Sequence, residues 1–528
     1  MKWKASLVIL LLVSAFANSS LAQEIAYPES FDRPIELYSV ALGDFSYPIS
    51  TAVPQAQAFF DQGFQMMYSF TTEDAARSFR EAQKLDPDCA ICFWGEAWAW
   101  GSYLNGPMSA EKSPRAYAAI QAALARIDNA SPKEADLIRA MSVRYVENFR
   151  PEGRMDQERA YAQEMEAVAA KYPNDLDIVT LYGDSLFLLE PRRGTRELDD
   201  PNVVKLHGVL TSVLERDIRH TGACHLYIHA TESTTNPGLA EECAEFIGNS
   251  IPGASHINHM PSHTWNEIGR WNDSVRANIM AWHSDQKAAI GEGFAIYPMH
   301  NLAMLLFAAS MDGQGALAIQ AGKDYEKIMN SSMYHVLTLV RFGRFDEVAA
   351  VSKRPENSDF DGGSWDFAQG YAALKMGDSG AARDYLQQLE RLAQDTTDNY
   401  RFHDGKNLLN VLVGILRGEI ASSTGDMASA VEAFEMATEA YDNIMYDEPE
   451  PYPFSAKHWL GAAYIEIGEF DKAIAVYQED LAEHPHNGWA LFGIKQALAA
   501  KGESDPEIDA RLEQAWARSD VWLLSSKF

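Results

Sequence analysis

Residues 454–487 carry one spacing that leaves little choice of fold. Gly461 is followed at fixed intervals by Tyr464, Gly468, Phe470, Ala473, Tyr477 and Pro485. Small Gly461 and Ala473 let two helices approach closely, and Tyr464 and Tyr477 fill the gap between them. Pro485, which lacks a backbone N–H, ends the second helix. A chain patterned this way forms an antiparallel helical hairpin. Such a hairpin cannot bury its apolar face alone and has to stack on further copies.

Further copies are present. Gly63, Ala75, Phe79, Ala82 and Pro87 mark a first hairpin, Gly370, Gly377, Ala382 and Leu386 another, and Gly418, Gly425, Ala430, Phe434 and Ala437 a third. Weaker pairs run over 137–145, 183–186 and 343–349, and an amphipathic pair over 488–519 caps the array. The spacing resembles the tetratricopeptide repeat signature, whose period is about 34 residues. The resemblance implies an all-α, tetratricopeptide-type helical-hairpin solenoid, a right-handed superhelix of roughly ten or eleven hairpins in one elongated array. Almost no β pattern interrupts it. Three breaks, at 191–201, 291–298 and 447–453, read as insertions that cover one face of the array.

The first residues have another purpose. Lys2 and Lys4 precede an apolar run over 7–13, and small Ser20 and Ala22 frame a cleavage point before Gln23. That is the pattern of a secretory signal peptide, expected to span 1–22. An irregular arm over 23–54 follows, then N-terminal hairpins over 55–220, a histidine-rich centre over 221–325, and C-terminal hairpins with capping helices over 326–528. No later segment approaches the roughly 20 apolar residues of a membrane helix. The expected destination is periplasmic or secreted, without a membrane anchor.

Charge narrows the partners. With 44 Lys and Arg against 75 Asp and Glu, the chain has a formal charge of −31, and losing Lys2 and Lys4 makes it more negative. Such a surface repels nucleic acid and anionic lipid. It suits metal ions and other cationic partners.

Fourteen His occur in the chain, and nine of them fall between His207 and His300. His225 and His229 are four apart, with Glu232 three further on, so the three share one helical face. His256, His259 and His263 follow the same rule. His225 and His259 stand one period apart, and so do His229 and His263, which predicts equivalent positions on neighbouring first helices. Those helices pack roughly 8 to 10 Å apart, so their imidazoles converge on the concave face. His300, after Pro298, takes the same early position in its unit. Asp184 and Glu232 are candidates for a general base, an oxygen ligand or an acceptor for an imidazole N–H.

Several segments here resemble a family of exported bacterial tetratricopeptide-repeat proteins with histidine-rich central repeats. They read Cys-His-Leu-Tyr-Ile-His-Ala-Thr-Glu from Cys224, His-Ile-Asn-His-Met-Pro-Ser-His from His256, Tyr-Pro-Met-His-Asn from Tyr297, and Asp-Pro-Asp-Cys-Ala-Ile-Cys-Phe-Trp-Gly from Asp86. The resemblance implies the fold and the position of the site and carries no activity with it.

Cys89 and Cys92 form a C-x-x-C at a helix start. Phe93 rather than His follows, against covalent haem, and the βαβ setting of a thioredoxin-like pair is missing, so a local disulfide is expected. Cys224 and Met260 point off the histidine face and are expected to pack in the core. Two functions emerge. The first is a metalloprotein, with enzymatic activity left open, whose His225, His229, His256, His259, His263 and His300 bind a transition metal. Six imidazoles have the composition of a coupled dicopper site, whereas four or fewer with Glu232 suit zinc or iron. The second is a scaffold that takes a peptide or partner protein in its groove. A metal pocket gains from burial beneath the insertions, and a peptide groove has to stay open.

Overall fold

Tyr477 shows how the hairpins pack. Its ring lies so close to Gly461 and Gly493 that a Cβ on either would fall 2.4 or 2.2 Å from a ring carbon. One aromatic of a second helix thus fills the notch left by a glycine in its own hairpin and another in the next. Phe79 does the same between Gly63 and Gly95, at 2.8 and 2.5 Å. The computed structural model in which these contacts are seen describes residues 25–191 and 194–528, so the leader expected at 1–22 lies outside them.

Residues 1–34 and 35–528 form separate units. The described part of the first holds one short 3-10 turn, Glu29–Asp32. The second begins with an irregular stretch up to Val53. Side chains of the following helix, Pro54–Tyr68, hold it by its backbone: Gln62 Oε1 accepts from Tyr38 N at 2.9 Å, Gln65 Oε1 from Gly43 N at 2.8 Å, and Asp61 Oδ1 from Tyr47 N at 2.9 Å. The rest is helical. Among the described residues, regular strand is confined to a two-residue antiparallel ladder, Asn399–Tyr400 with His403–Asp404. None of the described helices is long and apolar enough to cross a membrane.

Six hairpins turn on the same device. Gly269, Gly313, Gly343, Gly377, Gly425 and Gly468 sit between the paired helices with φ from 65 to 89°. The amide after each turn reaches five residues back, as Gln314 N does to Ala309 O and Glu469 N to Tyr464 O, both at 2.9 Å. The first hairpin, Pro54–Tyr68 with Thr72–Leu85, makes the same bond from Thr71 N to Met66 O at 2.9 Å. Its turn position is held by Phe70, with φ 60°. Glycine adopts that conformation freely, and a residue with a Cβ loses about 1 to 2 kcal/mol there.

The array departs from the simple elongated stack that its repeats predict. C-terminal residues return to the middle of the chain: Trp489 Nε1 donates to Ser310 O at 2.8 Å, Asp520 accepts from Gly315 N at 2.7 Å, and Trp271 Nε1 donates to Pro485 O at 3.0 Å. Residues hundreds of positions apart therefore meet around the central hairpins. The histidines lie there.

Candidate metal centre

His225 and His229 project from the helix Thr221–Thr231, which is buried on every side. His256 and His259 come from the short helix Ser255–His259 and His263 from Pro261–Glu267, the two being separated at Met260 because Pro261 has no N–H to continue the ladder. His300 stands in the first turn of Pro298–Met311. Five of the six are at most 2% exposed, and His300 is half-buried. Met260 is in the core, as expected.

All six imidazoles are brought together, in two sets of three. One is His225, His229 and His256, the other His259, His263 and His300, and within each set the ligand atoms lie within 4.8 Å of one another. The sets abut through His229 and His263, whose ring centres are 5.1 Å apart, and through His256 and His259 at 5.6 Å. Of the two one-period pairs in the sequence, His229 and His263 do become neighbours. His225 turns instead to His256, with Nε2 atoms 3.1 Å apart, while His259 turns to His263 and His300 at 2.7 and 3.1 Å. Met260 keeps right-handed helical dihedrals, φ −50° and ψ −38°, so the face continues through it and the partners are sorted by side-chain direction.

Hydrogen bonds on the far side of the rings settle which nitrogen is available. His225 Nδ1 donates to the carbonyl of Tyr68 at 2.6 Å. His229 Nδ1 donates to Glu232 Oε1 at 2.9 Å, and His263 Nδ1 faces Glu232 Oε2 at 2.7 Å. His259 Nδ1 donates to Asn278 Oδ1 at 3.0 Å, whose amide is oriented because its Nδ2 is used on Ser274 O at 2.9 Å. With the proton held on Nδ1, the lone pair sits on Nε2. Lone pairs of His259 and His263 then face each other across 2.7 Å, an arrangement that a shared cation relieves. Burial holds the site neutral as well: His225 is pushed down to about 4, and His256 and His259 are driven well below the usual imidazole range by burial and by one another.

Glu232 therefore accepts a hydrogen bond from His229 of one set and lies in ion-pair contact with His263 of the other. With Glu448 it also forms an alternative group, His229, Glu232, His263 and Glu448, close enough to share an ion. Asp184 belongs to none of these groups of candidate ligands but stands beside one of them. It lines a small void of about 20 Å³ with Phe70, Gly222 and His225, and burial pushes its carboxyl up to about 6.

The walls come from residues the sequence did not single out. The Phe70 ring lies 4.2 Å from His225, 5.4 Å from His256 and 6.0 Å from His229. On the other side a cavity of about 390 Å³ is bounded by His229, His256, His263 and His300 and, opposite them, by Tyr297, Tyr325, Tyr400, Arg401 and Glu448. Arg401 donates to Asp447 at 2.6 Å, and His403 pairs with the same carboxylate at 3.0 Å, anchoring the segment that presents Glu448. Phe70, Tyr297 and Arg401 are three of the five non-glycine residues with positive φ among those described. Strained backbone gathers at functional sites of this kind.

The insertions contribute unequally. From 291–298, Tyr297 stands 5.9 Å from His256 and lines the cavity. From 191–201, Arg196 donates to the carbonyl of His229 at 3.1 Å, so the loop holds that helix by its backbone. Cys89 and Cys92 are joined. Cys224, expected only to pack, is joined to Cys243, tying the helix of His225 and His229 to Glu241–Ile247.

Comparison with known proteins bears on a single repeat and leaves the chemistry untouched. No curated protein matches the chain. Among solved structures, the Cut9–Hcn1 assembly of APC/C aligns at 14% identity over 87% of this chain and 76% of that one, with a TM-score of 0.29. A human IFIT1 dimer aligns at 11% identity over 88% and 90%, with a TM-score of 0.30. The tetratricopeptide repeat family matches residues 454–479, so this chain carries at least one tetratricopeptide repeat within its array of helical hairpins.

Proposed function

We propose that the chain is a dinuclear metalloprotein in which a tetratricopeptide-type scaffold holds two transition-metal ions, each on three imidazoles. The observation that carries this reading is the pair of buried tris-histidine sets, with Nδ1 of His225, His229, His259 and His263 already engaged and Nε2 turned inward. Ligands at 2.0 to 2.1 Å from a tetrahedral ion stand about 3.3 Å apart, near the 3.1 Å of His225 with His256 and of His259 with His300. Small ring rotations suffice.

Copper is the ion of choice. Imidazole suits copper, zinc and iron, and the divalent order of affinity peaks at copper. A copper pair supplies redox chemistry. The chain's own residues hold the imidazole tautomers through Tyr68, Glu232 and Asn278, exclude water with Phe70, and leave an approach through the 390 Å³ cavity. Export belongs to the same reading, since the leader at 1–22 and two disulfides suit an oxidising compartment. A scaffold that offers these imidazoles to a peptide is the weaker reading, because five of the six are at most 2% exposed.

The test is metal content of tag-free protein loaded with copper and freed of excess. Two ions per chain are expected, with a melting temperature higher than after chelation. His225→Ala and His300→Ala, one from each set, should each lower content while keeping the helical signal. His283→Ala, on an exposed face, should not. Wild type that binds no metal, or set variants that keep full content, would overturn the proposal.

A further inference from the structure

His263, Asp447 and Glu448 also border a second cavity, of about 230 Å³. The helix Pro261–Glu267 presents three residues to it at spacings of three and four: His263, Asn266 and Glu267. Asn266 is only 6% exposed, and its Oδ1 has no hydrogen-bond partner, while its Nδ2 reaches no further than Met304 Sδ at 3.6 Å. A buried acceptor left unmade is costly unless a ligand supplies the donor.

Charge points the same way. Of the carboxylates around the cavity, Glu450 is met by His484 at 3.0 Å, Glu483 and Asp442 by Lys457, and Asp447 by Arg401. Glu267 forms no ion pair among the described residues; burial together with Glu450 pushes it up to about 8, with His484 opposing, so a cation bound there takes the place of the carboxyl proton. Trp271 and Phe307, with ring centres 6.1 Å apart, form the apolar wall.

We infer that this cavity binds a small organic ammonium ion, a primary amine on an apolar body, with its N–H groups on Asn266 Oδ1 and Glu267 and its body against Trp271 and Phe307. An ammonium group brings three donors and a charge that the ring faces attract. A hydrated divalent ion demands six to eight oxygens and gains nothing from the aromatic wall. The ligand would lie beside His263 and hence next to the proposed metal centre, yet its binding does not require metal. The two readings can fail separately.

The experiment is calorimetric titration of the full chain, stripped of metal by chelation, with three probes of one shape: phenethylammonium, 2-phenylethanol and the trimethylated quaternary ammonium. The primary ammonium should bind about tenfold tighter than either of the others, about 1.4 kcal/mol. Glu267→Gln, with unchanged circular dichroism, should remove most of that preference. Equal binding of ammonium and alcohol, equal binding of the quaternary ion, or no binding at millimolar concentration would each overturn the inference. So would magnesium or calcium ions competing where the amine does not bind. The probe series decides the matter in the wild type even if the variant does not fold.

Discussion

The ring of Phe70 lies 4.2 Å from the imidazole of His225 while its backbone holds a φ of 60°, in the turn position that six later hairpins give to glycine. The hairpin accepts strain where an aromatic is needed against the histidines. Phe70→Gly and Phe70→Ala both delete the ring, and packing alone makes the glycine variant the less stable. The turn reverses that order. Glycine should exceed alanine by about 1 kcal/mol in urea unfolding, and both variants should lose copper to a chelator faster than wild type. A glycine variant that unfolds before the alanine variant would remove the case for strain.

Glu232 sits between the two sets, with one oxygen 2.9 Å from His229 Nδ1 and the other 2.7 Å from His263 Nδ1. Glu232→Gln keeps the shape and exchanges one acceptor for a donor, so only one imidazole can keep its bond. Copper affinity should fall about 10- to 100-fold, the usual cost of losing an outer partner of a ligating histidine. The loss should reach both ions. Titration that shows one ion untouched would mean that the carboxylate serves a single set.

How much of this was legible in the sequence depends on the range of the signal. Gly461, Ala473 and Tyr477 announce a hairpin because each acts within one repeat, and the six histidines announce a cluster because helical period and repeat period are both short arithmetic. The exact pairing was not legible, since His225 meets His256 and not the one-period partner His259, a choice made by side-chain directions that repeat arithmetic does not carry. Nor were Phe70 and Arg401, which reach the site from positions far apart in the chain, whereas Glu448 comes from the 447–453 break, read as covering one face. Phe70 did leave a trace, a bulky residue where the hairpin phase calls for glycine. His484, outside the cluster in the sequence, is buried and bonded to Glu450 and Asp480, so a control substitution belongs at exposed His283.

The two disulfides should differ in weight. Cys224 and Cys243 are 19 residues apart and Cys89 and Cys92 only three. Closing a loop of some 15 residues is worth about 3 kcal/mol in the chain-entropy account. Paired Cys→Ser replacement at 224 and 243 should therefore destabilise by about that amount, and more than replacement at 89 and 92. Thiol labelling of the denatured, unreduced protein should leave all four cysteines unmodified. Labelled Cys224 and Cys243 would contradict the longer bridge.

Asp184 supplies a pH dependence whose sign can be worked out. Burial raises its carboxyl from 3.8 to about 6, while the nearby Arg144 opposes the shift and Glu158 adds to it. The folded state therefore keeps a proton that the unfolded chain has released, and stability falls as pH rises between those two values. A shift of about two pH units corresponds to about 3 kcal/mol at most. Asp285, also raised to about 6, acts in the same direction, so the wild-type profile alone cannot isolate Asp184. Asp184→Asn can. The asparagine holds no ionisable proton, so the variant should gain on wild type between about pH 4 and 6 and keep that gain, without adding to it, at higher pH. Urea midpoints of both proteins, measured without metal at each pH, give the comparison. Parallel profiles would show that the carboxylate ionises in the folded state as readily as in the unfolded one, and that the void beside Phe70 and His225 admits enough water to solvate it.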